Sequence, residues 1–337
     1  MTRTMRAVVM TGTGGPETLQ MQQVPLAWPC GDRDVLVRLK CAGLNPADAF
    51  FRALGTYLEG AGPCILGSDG AGVVEEIGVA VSRFKPGDAV CFCNGGIGGD
   101  PGTYAEFAVV CEEQLAAKAA NVSFAEAAAL PLVAITAWES LYDRAQLRSG
   151  EHTLIHAGAG GTGHVAIQLA MLRGAHVAAT VSTDIKADFV KSLGVERPIL
   201  YRQEKLVDAA LDWTGGEGLA VALDNVGPEA MQETYRAMAP YGRIVTLMGT
   251  PADDDDLTAY NRNLTIHNVM MLTPMWFGLR GRLAEQARLV AAGMRLLEEG
   301  KLKLHIDSTF PLSDVGVAHA KLEAGGMLGK MVLHIAD

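Results

Sequence analysis

An apolar stretch that breaks into glycines and resumes with helical spacing sets the strongest limit on this chain. Residues 154–170 read LIHAGAGGTGHVAIQLA. Inside it, Gly158-Ala159-Gly160-Gly161-Thr162-Gly163 fits GxGxxG, a weak signal on its own. Here it follows the strand-like HTLIHA, opens a helix expected over 162–173, and precedes the strand-like AHVAATV. In a β-α-β unit each glycine has a physical task. One permits the tight turn, one lets backbone approach a pyrophosphate, and one lets helix pack on strand. The helix start adds unpaired N–H groups and partial positive charge. Gly160, Gly161, Thr162 and Gly163 are therefore expected to cradle a dinucleotide.

The end of the second strand selects which dinucleotide. An NAD site places Asp or Glu there, bonded to the ribose 2′-hydroxyl. This chain has Val181-Ser182-Thr183, with Lys186 three residues on, and Asp184 reads as a helix N-terminal residue. A hydroxyl and a lysine in place of a carboxylate suit a 2′-phosphate. Ser182 and Lys186 are expected to hold NADPH.

The same rhythm continues. AHVAATV leads to a helix over 184–193, GLAVALDNV to one over 228–238, and GRIVTLMG to NLTIHNVMML. That alternation predicts a parallel sheet covered on both faces. Residues 1–115 differ, with short runs such as MRAVVM, DVLVRLKCAG, AGVVEEIG and DAVCFC separated by turns like KPGD and DPGT. From about 123 the texture becomes helical, with Ser123 and Glu126 as a capping box. A long helix, RLAEQARLVAAGMRLLEEGKL, precedes a strand-like tail, STFPLS…GKMVLHIAD, expected to return to the first domain.

A formal charge of −10 argues against nucleic acid or anionic membrane as partner. No apolar run reaches the ~18 residues of a membrane span. The start, MTRTMRAVVMTGTGG, has too short an apolar stretch for an export signal, so a cytoplasmic protein is expected. The six cysteines, Cys30, Cys41, Cys64, Cys91, Cys93 and Cys111, fit no four-cysteine zinc spacing and read as reduced, mostly buried thiols. The acidic run at 253–256 reads as a solvated loop.

With GPETL at 15–19, GSDGAGVVEEIG at 67–78, FKPGD at 84–88 and AGAGGTGHVAIQLA at 157–170, the chain resembles a medium-chain dehydrogenase/reductase over essentially its whole length. It is most similar to the zinc-free quinone oxidoreductase (ζ-crystallin-like) branch. The resemblance implies an α/β protein in two parts. A GroES-like, β-rich catalytic domain over 1–126, completed by 274–337, would carry an inserted Rossmann domain, a doubly wound parallel sheet binding NADPH, over 127–273. Zinc members place a cysteine where CAGLNPAD has Asn45, and a histidine where LGSDG has Ser68 ahead of Asp69. Neither asparagine nor serine is a usual zinc ligand. The cysteine-rich structural lobe is also missing, because CFCNGGIGGDPGTYAEF runs straight through. His152 and His156, four apart in a strand, are expected to pack and hydrogen-bond. No metal is expected.

Zinc would polarise a carbonyl and support the developing alkoxide. Without it, a conjugated acceptor eases the chemistry, since arriving hydride leaves delocalised charge that a hydroxyl, an amide or water can stabilise. The expected reaction is NADPH-dependent reduction of small quinones or other α,β-unsaturated carbonyls. By resemblance, Asn45 lies near the nicotinamide and hydrogen-bonds the substrate oxygen. Relatives often carry tyrosine where this chain has Phe50, so proton donation passes to Tyr57, to water or to no group at all. Asp48 is expected to orient Asn45 or pair with Arg52. Further contacts implied by resemblance are Thr136 in ITAW, Tyr201 in ILYRQE, Asn225 and Val226 in DNVG, Gly249 in LMGT and Lys330 in GMLGKMVL. LMGT and MLTP are expected to end successive strands. Two alternatives stand beside this reading: a 2-enoyl thioester reductase with Arg280 and Arg282 at a basic entrance, and a low-turnover NADPH-binding protein. The acidic balance disfavours RNA binding. A homodimer through the edge strand TIHNVMML is expected.

Overall fold

Short β-branched runs in the first third form strands, and the turn residues between them fix where each one stops. The computed structural model describes residues 3–29, 31–56, 58, 64–251 and 257–336. Its first segment runs β1 (Thr4–Met10), β2 (Leu19–Pro25), β3 (Asp34–Gly43), helix α1 (Pro46–Leu54), β4 (Asp69–Ile77), β5 (Ala89–Cys93), β6 (Phe107–Cys111), β7 (Ala116–Ala117) and helix α2 (Phe124–Ala129). Strands β1 and β2 pair antiparallel. Helix α1 starts with Pro46 in its first turn, where the missing N–H costs nothing. Helix α2 has the capping box read from sequence: Glu126 N–H donates to Ser123 Oγ at 3.2 Å, and Ser123 N–H to the Glu126 carboxylate at 2.9 Å.

The alternating segment follows: α3 (Pro131–Trp138), β8 (His152–Ile155), α4 (Gly161–Leu172), β9 (His176–Val181), α5 (Asp184–Ser192), β10 (Arg197–Leu200), α6 (Leu206–Trp213), β11 (Leu219–Asp224), α7 (Pro228–Ala237), β12 (Met238–Thr246), α8 (Thr258–Asn261) and β13 (Thr265–Asn268). Its six strands are all parallel and lie in the order β10-β9-β8-β11-β12-β13. The order reverses between β8 and β11, as in a Rossmann sheet. One layer of its core is built from Leu154, Ala178, Ile199, Leu223's neighbour Ala222, Met231, Tyr235 and Ile244.

The last segment adds α9 (Thr273–Trp276), α10 (Arg280–Glu298), β14 (Ile306–Pro311), α11 (Val315–Ala324) and β15 (Lys330–His334). Strand β15 pairs antiparallel with β3 and parallel with β14, so the tail joins the first sheet, β14-β15-β3-β4-β5-β7, with β6 also on β3. Val35, Val37, Leu39, Val74, Val90 and Phe92 form the core beneath it. The chain thus divides into unit 1, Met1–Leu132 with Leu272–Asp337, and unit 2, Val133–Met271. Unit 1 is the GroES-like part and unit 2 the Rossmann part.

Three details depart from the sequence reading. MLTP does not end a strand: β13 stops at Asn268, and Thr273 opens α9 with Pro274, which has no N–H for a ladder. His152 and His156 do not share a strand, because β8 ends at Ile155. The His152 ring stacks on His176 with centroids 5.0 Å apart, while His156 is buried. The acidic run at 253–256 lies outside the described residues. Among those described, no helix is long and apolar enough to cross a membrane. Cys41, Cys91 and Cys93 are buried free thiols, and burial pushes Cys91 up to about 12.

Candidate active site

In unit 2 the chain leaves β8 through Ala157, whose φ is 48°. Its N–H donates to Thr180 Oγ1 at 3.0 Å, and that of Gly158 to Thr180 O at 3.0 Å, which pins the turn to β9. A Cβ on Gly158 would lie 2.7 Å from the Cβ of Ala179, and one on Gly163 would lie 2.3 Å from Ala157 O. Packing therefore requires both glycines. A Cβ on Gly160 meets only Ala157 O, at 3.3 Å. Its lack of a side chain leaves the turn open instead. The first helical N–H with a partner is that of His164, which donates to Gly160 O at 3.0 Å. Gly161, Thr162 and Gly163 have no intrahelical acceptor, so their N–H groups stand at the positive end of the helix dipole.

Ser182 and Thr183 follow β9. Thr183 Oγ1 accepts from Lys186 N–H at 3.4 Å and caps α5, which places Asp184 in its first turn. Lys186 is half-buried and has no ion-pair partner among the described residues. Tyr201, next after β10, is 51% exposed. Beyond β11, Asp224 is wholly buried. One carboxylate oxygen accepts from Val226 and Gly227 N–H, each at 3.0 Å, and the other from Thr246 Oγ1 at 2.8 Å. This holds open a loop in which Asn225 Nδ2 donates to His156 O at 2.8 Å, bridging the two strands where the sheet reverses. Asn225 Oδ1 is buried without a protein partner. His156 itself sits between Thr234 Oγ1 at 2.9 Å and Thr180 Oγ1 at 3.3 Å. Burial pushes it down to about 4, so it is neutral. Thr136 is buried on α3, Val226 is exposed, and Gly249 follows β12 with φ 85°.

Unit 1 carries a different kind of site. Asn45 ends the turn after β3 and is 1% exposed. Its Nδ2 donates to Asp69 Oδ2 at 2.9 Å, and its Oδ1 accepts from the Lys330 ammonium at 2.5 Å. Lys330, 2% exposed, also donates to Leu44 O at 2.8 Å and to Asp69 Oδ2 at 3.3 Å. Asp69 Oδ1 accepts from Leu132 N–H at 2.8 Å. Burial raises the Asp69 carboxyl, opposed chiefly by Lys330. Asp48 Oδ2 accepts from Asn45 N–H at 2.8 Å and from the Tyr104 hydroxyl at 3.0 Å. Burial pushes Asp48 up to about 7 and Tyr104 well above its usual range. Tyr104 Oη meets His319 Nε2 at 3.2 Å, and burial holds His319 down at about 4. The hydroxyl donates to Asp48, so His319 donates Nε2–H to it. Arg52 is also buried, but it pairs with Glu323 and donates to Gly14 O at 2.6 Å, away from Asp48.

Several expected residues therefore come together and others do not. Lys330, expected at the cofactor from its motif, lies with Asn45. Phe50 is 48% exposed on α1 beside buried Phe51. Tyr57 lies outside the described residues. Ser68 donates to Gly95 O at 2.9 Å. Among the described residues no group of three His, Cys, Asp or Glu side chains is placed to hold a metal. Tyr104 and His319 stand in no motif that marks them, and Asp69 is marked only as the residue after Ser68.

Family models match two stretches: that of the alcohol dehydrogenase GroES-like domain at residues 31–120, and that of zinc-binding dehydrogenases at residues 193–333. The chain is 33% identical to a quinone oxidoreductase of Pseudomonas aeruginosa over 95% of this chain and 96% of that one. It is 28% identical to a 2-haloacrylate reductase of a Burkholderia species, covering 97% and 98% of the two chains. A mycobacterial protein solved in complex with NADPH superposes with a TM-score of 0.85 at 27% identity, over 98% of this chain and 100% of that one.

Proposed function

The chain belongs to the medium-chain dehydrogenase/reductase family, in its quinone oxidoreductase branch, and from that premise we propose that it is an oxidoreductase reducing quinones or other α,β-unsaturated carbonyls with NADPH and without zinc. The observation that carries the reading is the donor set around Asn45. A zinc ion does not fit there. The amide is engaged on both sides, Ser68 gives its proton to a carbonyl, and an ammonium 2.5 Å from Asn45 Oδ1 would repel a cation. What the site offers a substrate is an amide N–H. Such a donor suits an acceptor whose added charge is already delocalised. The haloacrylate in one relative's name is an acceptor of that kind, a conjugated acid.

NADPH fits unit 2, where the buried and unpartnered Asn225 Oδ1 and the open N–H groups at the start of α4 await a polar ligand. Bound, the cofactor supplies hydride. Gly160, Gly161, Thr162 and Gly163 would hold its pyrophosphate, and Ser182, Lys186 and Tyr201 the 2′-phosphate. Asn225, Val226, Gly249 and Thr136 would hold the ribose and nicotinamide end. Asn45 Nδ2–H stabilises charge on the substrate oxygen, and Tyr57 or water delivers the proton. The basic entrance that a thioester reductase needs is weakened, because Arg282 is tied to Glu285 at 2.6 Å. The half-exposed edge strand β13, paired on one side to β12, supports a homodimer.

The test is NADPH oxidation by chelator-treated protein against phenanthrenequinone, an alkenal and crotonyl-CoA, with NADH in parallel. The expected result is quinone or alkenal turnover with NADPH at least about tenfold ahead of NADH, a preference that Lys186→Ala removes. Turnover of crotonyl-CoA alone moves the protein to thioesters. Binding of NADPH without oxidation makes it a binding protein, and loss of activity on chelation overturns the metal-free mechanism.

A further inference from the structure

We propose that Lys330 is a positioning residue for Asn45: its ammonium fixes the side-chain amide in one orientation and strengthens, as a donor, the Nδ2–H that Asp69 leaves free. The inference rests on the reading of Asn45 as the donor to the substrate oxygen. An ammonium has three N–H groups. Here all three are spent, on Leu44 O at 2.8 Å, Asn45 Oδ1 at 2.5 Å and Asp69 Oδ2 at 3.3 Å. A lysine present only to neutralise Asp69 would close on that carboxylate at the ~2.7–2.9 Å usual for charged pairs. Instead it sits closer to the amide.

The amide has two N–H groups, and Asp69 Oδ2 takes one at 2.9 Å. Turning it over would set its NH₂ against the ammonium and its oxygen against the carboxylate, two repulsive contacts in a site shut off from water. Opposite charges on the two sides therefore fix which edge carries the donor. A positive charge on the amide oxygen also favours the resonance form with positive nitrogen, which makes the remaining N–H a better donor, and the low local dielectric enlarges the effect. Backbone register holds the parts in place. Lys330 N–H donates to His305 O at 2.9 Å, and Leu44 N–H to Met331 O at 3.0 Å, which ties β15 to the turn carrying Asn45.

Lys330→Met alone leaves Asp69 buried without its cation, so the informative variant is Lys330→Met/Asp69→Asn, which removes the ion pair as a unit. Two readouts are needed. In protein labelled with ¹⁵N-asparagine, the Asn45 side-chain amide signal, assigned by its loss in Asn45→Ala, should move upfield and exchange faster with solvent in the double variant, and return toward its wild-type position in Lys330→Arg. Steady-state kinetics should show kcat lowered roughly 10–100-fold, with KM for NADPH changed less than about threefold. A double variant with wild-type kcat reduces Lys330 to a counter-ion and overturns the proposal, as does an Asn45 signal that ignores Lys330. A wild-type protein that turns over no acceptor overturns the functional reading, while the amide signal still decides the clamp.

Discussion

What unit 2 exposes at its proposed site is largely backbone: three N–H groups at the start of α4, a glycine kept open at 160, and beside them an asparagine oxygen with no protein partner. The proposed site of unit 1 rests on one side chain, Asn45, in a buried network that joins it to a lysine and two aspartates. The contrast teaches where each site is fragile. A backbone site fails when a Cβ intrudes, whatever the charge of the new residue. A saturated cluster fails when one charge is removed, whatever its size.

Removing the charge should show the largest effect. Lys330→Met is expected to cost about 3–5 kcal/mol by urea denaturation, as breaking one half of a buried pair does, and Lys330→Met/Asp69→Asn to recover most of it. An equal loss in both variants would mean that packing, and not charge, holds unit 1 there. Next, Gly163→Ala should cost about 3 kcal/mol, since its Cβ would sit 2.3 Å from Ala157 O and 2.8 Å from Gly158 Cα, both backbone atoms.

Acid acts unequally on the two units. His156 has its pKa lowered to about 4 by burial, so stability falls as pH drops below the unfolded value of 6.5. His267, also lowered chiefly by burial, acts the same way. In unit 1, His319 at about 4 loses stability over the same range, but Asp48, raised to about 7, gains it as pH falls from 7 toward 3.8. Between pH 6.5 and 5 unit 2 should lose about 2 kcal/mol and unit 1 much less. Hydrogen exchange read segment by segment checks this, and equal losses would contradict it. The smallest stability change belongs to Gly160→Ala. It should cost under about 1 kcal/mol, because a Cβ there meets only Ala157 O, at 3.3 Å, while weakening NADPH binding at least about tenfold in a fluorescence titration if the turn holds the pyrophosphate as proposed.

The same contrast explains what could be read from sequence. The glycine turn is a local pattern, so its residues, the start of α5 at Asp184 and the whole of β3 over 34–43 were legible. The cluster in unit 1 joins residues 45, 48, 69, 104, 319 and 330. An aspartate that will be buried is written with the same letter as a solvated one. Asn45, Asp48 and Lys330 stood in motifs, and the Asn45–Asp48 link was legible there, whereas nothing local joined Lys330 to Asn45. Strand β2 was not singled out because most of its residues are exposed, which erases the alternation. Strand β10, RPIL, is four residues long with a proline inside. Helix α11 has apolar residues spread around it and shows no clear face.

The pairing of β15 with β3 has a consequence for how the protein is made. A ribosome delivers Asp69 and Asn45 early, and the lysine that completes their bonds some 260 residues later than Asp69. All of unit 2 emerges in between, as one continuous stretch with its own core. Unit 2 can fold while unit 1 waits, since domains tend to fold as units during synthesis. Until β15 arrives, the nascent chain carries an aspartate without its cation, and the end of β3 over 41–43 lacks its partner on one side. Strand β15 is thus the key that locks the first segment of unit 1.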